Sequence, residues 1–123
     1  QGSAMKVVNQ LLCGVHVAVA GEAIAFAKAS GLEADTVYDV IGTSAARSWM
    51  FMDRVPNMEN PPEHPRSAVD IFVKDLGIVT DAGRSMRFMT PIAAAALQMF
   101  IAASGAGYGR EDDSQIIKAY ERD

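Results

Sequence analysis

At 123 residues, 50% of them hydrophobic and 21% charged, the chain has the size and composition of one compact domain with a core of its own. Fifteen acidic against eleven basic residues give a net charge of -4 with no long basic run, which argues against a nucleic-acid partner. One cysteine, Cys13, and two distant histidines, His16 and His64, exclude an internal disulfide and argue against a zinc site, so no metal and a reducing, cytoplasmic compartment are expected.

Ala4 to Ser30 contains no proline, and Val7, Val8, Leu11, Leu12, Val15, Val19 and Ile24 recur at spacings of three and four, which predicts one long helix ended by Gly31. At about 1.5 Å per residue it runs roughly 40 Å, longer than a small domain is wide. Lys6, Asn9, Gln10, His16, Glu22 and Lys28 interrupt its apolar run, so it is expected as a buried helix and not a membrane span. The segment Gln1 to Met5 carries no secretory signal pattern.

A second helix is expected from about Glu33 to Ile41, ended by Gly42, and a third from Ser44 to Val55, stopped by Pro56. Asn60 to Pro65 reads as a loop. Ser67 is expected to cap a fourth helix reaching about Ser85, with Val69, Phe72, Val73, Leu76 and Val79 as its apolar stripe. Thr90 and Pro91 signal the cap and first position of a fifth helix, which Gly105, Gly107 and Gly109 should break after Ser104. The acidic run Glu111 to Asp113 opens a short last helix through Tyr120. Six helices and no convincing strand make the expected fold all-α.

Lys6, Asn9 and Gln10, at i, i+3 and i+4, project toward one helix face and could converge on a substrate, although a solvated first turn explains the same triplet. Burial of Lys6 beside Met5, Val7 and Val8 would prepare it for proton transfer. Asp70 and Lys74 read as an ordinary i, i+4 ion pair, His16 as a packed or hydrogen-bonded histidine, and Trp49 to Met52 as core packing. The glycines at 105, 107 and 109 follow a helix instead of a strand, so they encode no dinucleotide loop.

Three segments, Gly2 to Gln10, Val73-Lys74-Asp75-Leu76 and Gly107 to Ser114, together resemble the carboxy-terminal helical domain of the β-hydroxyacid dehydrogenases, the 3-hydroxyisobutyrate dehydrogenase family. Asn9 to His16, Ser48 to Phe51 and Pro65 to Leu76 are similar to L-threonate dehydrogenase-like members. The resemblance implies a six-helix C-terminal domain of the 6-phosphogluconate dehydrogenase-like type, with a long first helix, spanning residues 1–123. It implies Lys6 as the catalytic acid/base, Asn9 and Gln10 as substrate-binding residues, and Lys74 with Asp75 on the cofactor side. NAD or NADP would be held mainly by an amino-terminal Rossmann domain not contained in this chain, with a small hydroxy acid, L-threonate-like, as substrate. Ser67, where many relatives carry phenylalanine, implies a more polar pocket. A homodimer or tetramer is implied, and a fragment without the Rossmann half should be inactive. The alternative is a non-catalytic helical interaction module, which has no need of two lysines bordering one cleft. The enzyme reading therefore requires Lys6, Gln10 and Lys74 to meet.

Overall fold

The computed structural model describes residues 2–121; Gln1, Arg122 and Asp123, which carry the ends of the expected domain and the start of the segment read for a signal, lie outside the described residues. Six α-helices follow in order: α1 Gly2–Ala29, α2 Ala34–Ile41, α3 Trp49–Glu59, α4 Val69–Met86, α5 Pro91–Ala103 and α6 Ile117–Tyr120. A π-helical turn, Ser104–Tyr108, continues α5, and a 3-10 turn, Asp113–Ile116, leads into α6. No strand occurs among the described residues; one isolated bridge joins Ala68 to Asp112.

α1 is the axis of the bundle, and α3, α4, α5 and α6 pack against it. Val17 and Ala18 meet Phe72, Leu76 and Phe100 in one core, and Ala20 and Ile24 meet Phe51, Val55 and Met58 in a second. The Phe72 and Phe100 rings stack at 5.1 Å between centroids. Gly14 lets α4 close on α1: a Cβ there would stand 2.8 Å from Leu76 Cδ2, inside van der Waals contact. Only one side of α1 is covered. Met5, Val8, Leu12, Val19 and Phe26 are exposed, so the helix expected as buried is buried on its inner side only. By length and apolarity alone, α1 and the Pro91–Tyr108 stretch could each cross a membrane, but the apolar inner face of α1 is spent on the bundle's own core.

Pro56 does not end α3; it lies inside it, and the helix runs on to Glu59. A proline leaves the carbonyl four residues back without its helical donor. That carbonyl belongs to Met52, and the Tyr38 hydroxyl donates to it at 2.9 Å, so a side chain of α2 repairs the gap. The start is also later than expected, because Ser48 is the cap, its Oγ accepting from the Phe51 N–H at 3.0 Å. Trp49, expected in the core, is 68% exposed, while Met50 and Phe51 are buried.

Ser67 is not the cap of α4. The first N–H groups of that helix, on Val69 and Asp70, donate instead to the carbonyls of Glu111 and Gly109, both at 2.9 Å. Thr90 likewise makes no side-chain cap for α5, since its backbone (ψ 61°) leaves the extended region that capping uses. Gly105 does not break the chain; the reversal comes at Gly107, whose φ of +106° lies where side chains are disfavoured. Asp70 accepts from the Ser104 hydroxyl at 2.6 Å and forms no ion pair with Lys74. Gly109 packs directly on that carboxylate: a Cβ there would stand 2.5 Å from Asp70 Oδ2. Gly109→Ala is therefore expected to destabilise the protein by about 1–3 kcal/mol through overpacking, measured by urea unfolding. An unchanged midpoint would contradict the close approach.

The acidic run expected to open the last helix is buried from Asp112 onward, while Glu111 is exposed. Asp112, Asp113, Ser114 and Gln115 are all shielded from solvent. Asp112 Oδ2 accepts from both the N–H and the hydroxyl of Ser114, and Asp113 receives the Arg54 guanidinium at 2.7 and 3.1 Å. Gln115 donates to the Asn57 carbonyl at 3.0 Å. These polar bonds pin the segment that precedes α6 between α1, α3 and α4.

Candidate functional site

The first turns of α1 and the middle of α4 border one open cleft of about 280 Å³. α1 contributes Ser3, Lys6, Val7 and Gln10, spaced i, i+3, i+4 and i+7, and α4 contributes Lys74, Asp75, Ile78 and Val79. Each set follows the helical period, so each occupies one face of its helix. Val7, Ile78 and Val79 form an apolar wall, and the remaining side chains supply a hydroxyl, an amide, a carboxylate and two amines. Lys6, Gln10 and Lys74 thus meet at one cleft.

Gln10 Nε2 donates to Asp75 Oδ2 at 2.8 Å, a bond between residues 65 apart in sequence that ties α1 to α4 at the cleft. Asn9 stands behind this pair and does not line the cleft. Its Nδ2 donates to Gln10 Oε1 at 3.1 Å and contacts Cys13 Sγ at 3.6 Å. The three polar residues read from α1 therefore divide: Lys6 and Gln10 face the cleft, and Asn9 holds the far side of the Gln10 amide. With its nitrogen committed to Asp75 and its oxygen to Asn9, that amide has one defined orientation.

Lys6 and Lys74 are exposed. The ion pairs formed among the described residues involve Lys28, Arg54, Arg66 and Lys118, and neither cleft lysine. Two amines without a protein carboxylate suit an anionic ligand. Met5 and Val8, the neighbours expected to desolvate Lys6, are themselves 67% and 51% exposed. Lys6 has no dry surroundings from this domain alone.

The whole of this arrangement lies inside a match to a family model described as the NAD-binding domain of NADP-dependent 3-hydroxyisobutyrate dehydrogenase, which covers residues 1–120. The chain belongs to this 3-hydroxyisobutyrate dehydrogenase family. It is 54% identical over 119 residues to an L-threonate dehydrogenase of Cupriavidus necator, covering 97% of this chain and 40% of the relative. It is 49% identical over 119 residues to an L-threonate dehydrogenase of Escherichia coli, covering 97% of this chain and 39% of that one. A crystal structure of 3-hydroxyisobutyrate dehydrogenase from Salmonella typhimurium superposes with a TM-score of 0.91 at 52% identity, over 95% of this chain and 41% of the other. The chain thus spans about two fifths of the length of the relatives it matches.

Within this 3-hydroxyisobutyrate dehydrogenase-family domain, Ser3 and Ile78 line the cleft without having been singled out in the sequence, and Val7 and Val79, read there as parts of apolar helix stripes, line it with them. Their signal was helical spacing from Lys6 and Lys74. Ser67, expected to make the pocket polar, is not at the cleft; its carbonyl accepts from the Asp113 N–H at 2.9 Å, on the side of α4 that carries the C-terminal segment. His16 is half-buried on another groove, beside Arg47 and Phe51. Among the described residues no group of three metal-binding side chains is assembled.

Proposed function

We propose that residues 1–123 are the C-terminal, substrate-binding and oligomerising domain of an NAD(P)-dependent β-hydroxyacid dehydrogenase acting on a small hydroxy acid such as L-threonate. The six helices are read as the 6-phosphogluconate dehydrogenase-like type. A Rossmann domain elsewhere in the same protein is taken to hold most of the cofactor, in a cytoplasmic enzyme that works as a homodimer or tetramer. The observation that carries the reading is the meeting of Lys6 and Lys74, 68 residues apart in sequence, at one cleft. Close relatives named L-threonate dehydrogenase support the substrate class.

The size of the cleft fits a division of labour. At about 280 Å³, it lies at the lower end of the range for ligand pockets, ~300–1,000 Å³. It accommodates a four-carbon acid with the edge of a flat ring against Val7, Ile78 and Val79, and is too small for a whole dinucleotide. The residues therefore fit the reacting end of the cofactor only, and its nicotinamide supplies the hydride acceptor when bound. Lys6 Nζ takes the proton that leaves the substrate hydroxyl and returns it in the reverse direction. Gln10, held by Asp75 and Asn9, offers its remaining amide positions to the substrate. Lys74 faces anionic groups on the cofactor side, and the fixed Asp75 carboxylate keeps α4 in register with α1.

Lys74→Ala tests the division. A cationic contact that acts in the ground state and the transition state alike lowers KM without raising kcat. In the full-length protein the KM for cofactor is expected to rise about tenfold, the loss of ~1.4 kcal/mol of one charged contact, with kcat changed little. A fall in kcat with KM unmoved would reassign Lys74 to the chemistry.

A further inference from the structure

The bond from Gln10 to Asp75 leaves each partner half used. Of the two N–H groups on the Gln10 amide, one donates to Asp75 Oδ2 at 2.8 Å, and the amide oxygen is taken by Asn9 Nδ2 at 3.1 Å. Asp75 lines the cleft and Asn9 does not, so the nitrogen end of the amide is the end turned toward a ligand. Asp75 is half-buried, with Oδ2 spent on Gln10 and Oδ1 without a hydrogen-bond partner among the described residues. A spare donor and a spare acceptor therefore stand on adjoining side chains. Among the groups that a small acid carries at neutral pH, a hydroxyl fits both, its oxygen accepting from Gln10 and its proton going to Asp75. A carboxylate would meet the like charge of Asp75. An ammonium would suit Asp75 but has no lone pair for the Gln10 N–H, and a methyl group would leave both polar groups unpaired.

We propose that Gln10 and Asp75 form a hydroxyl-reading subsite, which selects acids that carry a hydroxyl beyond the one being oxidised. The proposal rests on the reading of this cleft as the place of hydroxy-acid oxidation and names the residues that set its substrate class. Lys6 and Gln10 are one helical turn apart, ~5–6 Å between Cβ atoms, so an acid of a few carbons with its reacting hydroxyl at Lys6 brings a neighbouring hydroxyl to Gln10. The Asp75 charge turns the substrate carboxylate away from this end, so the pair also fixes which way round the carbon chain lies. Ser67, the position expected to make the pocket polar, is bonded elsewhere through its carbonyl; the polarity that a hydroxylated substrate needs comes from this pair instead. The pairing requires a side chain long enough to cross from α1 to α4, which Gln10 supplies.

The full-length protein with cofactor, given L-threonate or its less hydroxylated counterparts 2-hydroxybutanoate and 3-hydroxybutanoate, provides the test. Both kcat/KM and the dissociation constant of each acid are measured. Wild type is expected to favour threonate by about 10- to 100-fold, the contribution of a hydroxyl bonded to a charged partner. Asp75→Asn can keep the bond from Gln10 through its oxygen but replaces the spare acceptor with a donor, and Gln10→Met removes the amide at similar length. In each variant the preference for threonate should fall to about threefold or less, whatever happens to the absolute rates. Damage to the fold or to cofactor binding would weaken all three acids together and leave their ratio unchanged. A wild type without the preference, or a preference kept in both variants, would overturn the proposal. A wild type that binds threonate preferentially yet oxidises no hydroxy acid would support the subsite and remove the dehydrogenase reading.

Discussion

Lys6→Ala in the full-length protein is expected to lower turnover by about 10²- to 10⁴-fold, the range that a positioned acid/base group contributes. Oxidation of an alcohol needs a proton removed from its oxygen as hydride leaves its carbon, and Lys6 is the cleft amine carried by α1, beside Gln10. Lys6→Arg should not restore the rate, because a guanidinium stays protonated. Lys6 is exposed and makes no ion pair among the described residues, so unfolding midpoints should match wild type and the kinetic loss can be read as chemistry. Steady-state kinetics with saturating cofactor and hydroxy acid provide the measurement. A Lys6→Ala enzyme with near-normal kcat would remove Lys6 from the mechanism.

Much of the fold was legible because long helices announce themselves by period. α1, α4 and α5 lie within two residues of their expected bounds. Two of the misreadings share one cause, a distant group that overrides a local signal. Pro56 is a sound stop signal until the Tyr38 hydroxyl satisfies the Met52 carbonyl. Ser67 is a sound cap until the carbonyls of Gly109 and Glu111 occupy the first N–H groups of α4. Trp49 reads as core from its neighbours Met50 and Phe51, yet successive helix positions point ~100° apart, and it is the one turned outward.

The cleft shows the same limit. Spacing alone put Lys6 and Gln10 on one face of α1, and nothing local said that the face would meet Lys74 and Asp75. The resemblance supplied that pairing in advance, and the 2.8 Å bond from Gln10 to Asp75 is its physical form. Asn9 was grouped with them by sequence distance. At i+3 it points to the side of the Lys6–Gln10 line, where it holds the Gln10 amide from behind.

The Arg54 to Asp113 pair should be the most costly part of the core to break. Asp113 is fully buried, and the Arg54 side chain is 11% exposed. Arg54 also bonds Asp53, which accepts in turn from Arg66 at 2.7 Å. Burial pushes the Asp113 carboxyl above its ordinary range, against the lowering effect of the Arg54 hydrogen bonds and charge. Arg54 is held protonated by Asp113 and Asp53 despite its own burial. Arg54→Met keeps most of the aliphatic volume and leaves the carboxylate buried without a partner, so a loss of about 3–5 kcal/mol is expected. An acid whose folded-state pKa is raised binds its proton more readily folded than unfolded. The cost of leaving it ionised is absent below the unfolded value near 3.9 and sets in as pH rises through the folded one. Losing Arg54 raises the folded value further, so the deficit of Arg54→Met against wild type should be largest at neutral pH and narrow toward pH ~4. Asp113→Asn in the same background removes the stranded charge and should recover part of the loss. Urea unfolding of wild type and the two variants across that pH range is the test. A small deficit that stays constant with pH would mean that the pair contributes packing and no electrostatic stabilisation.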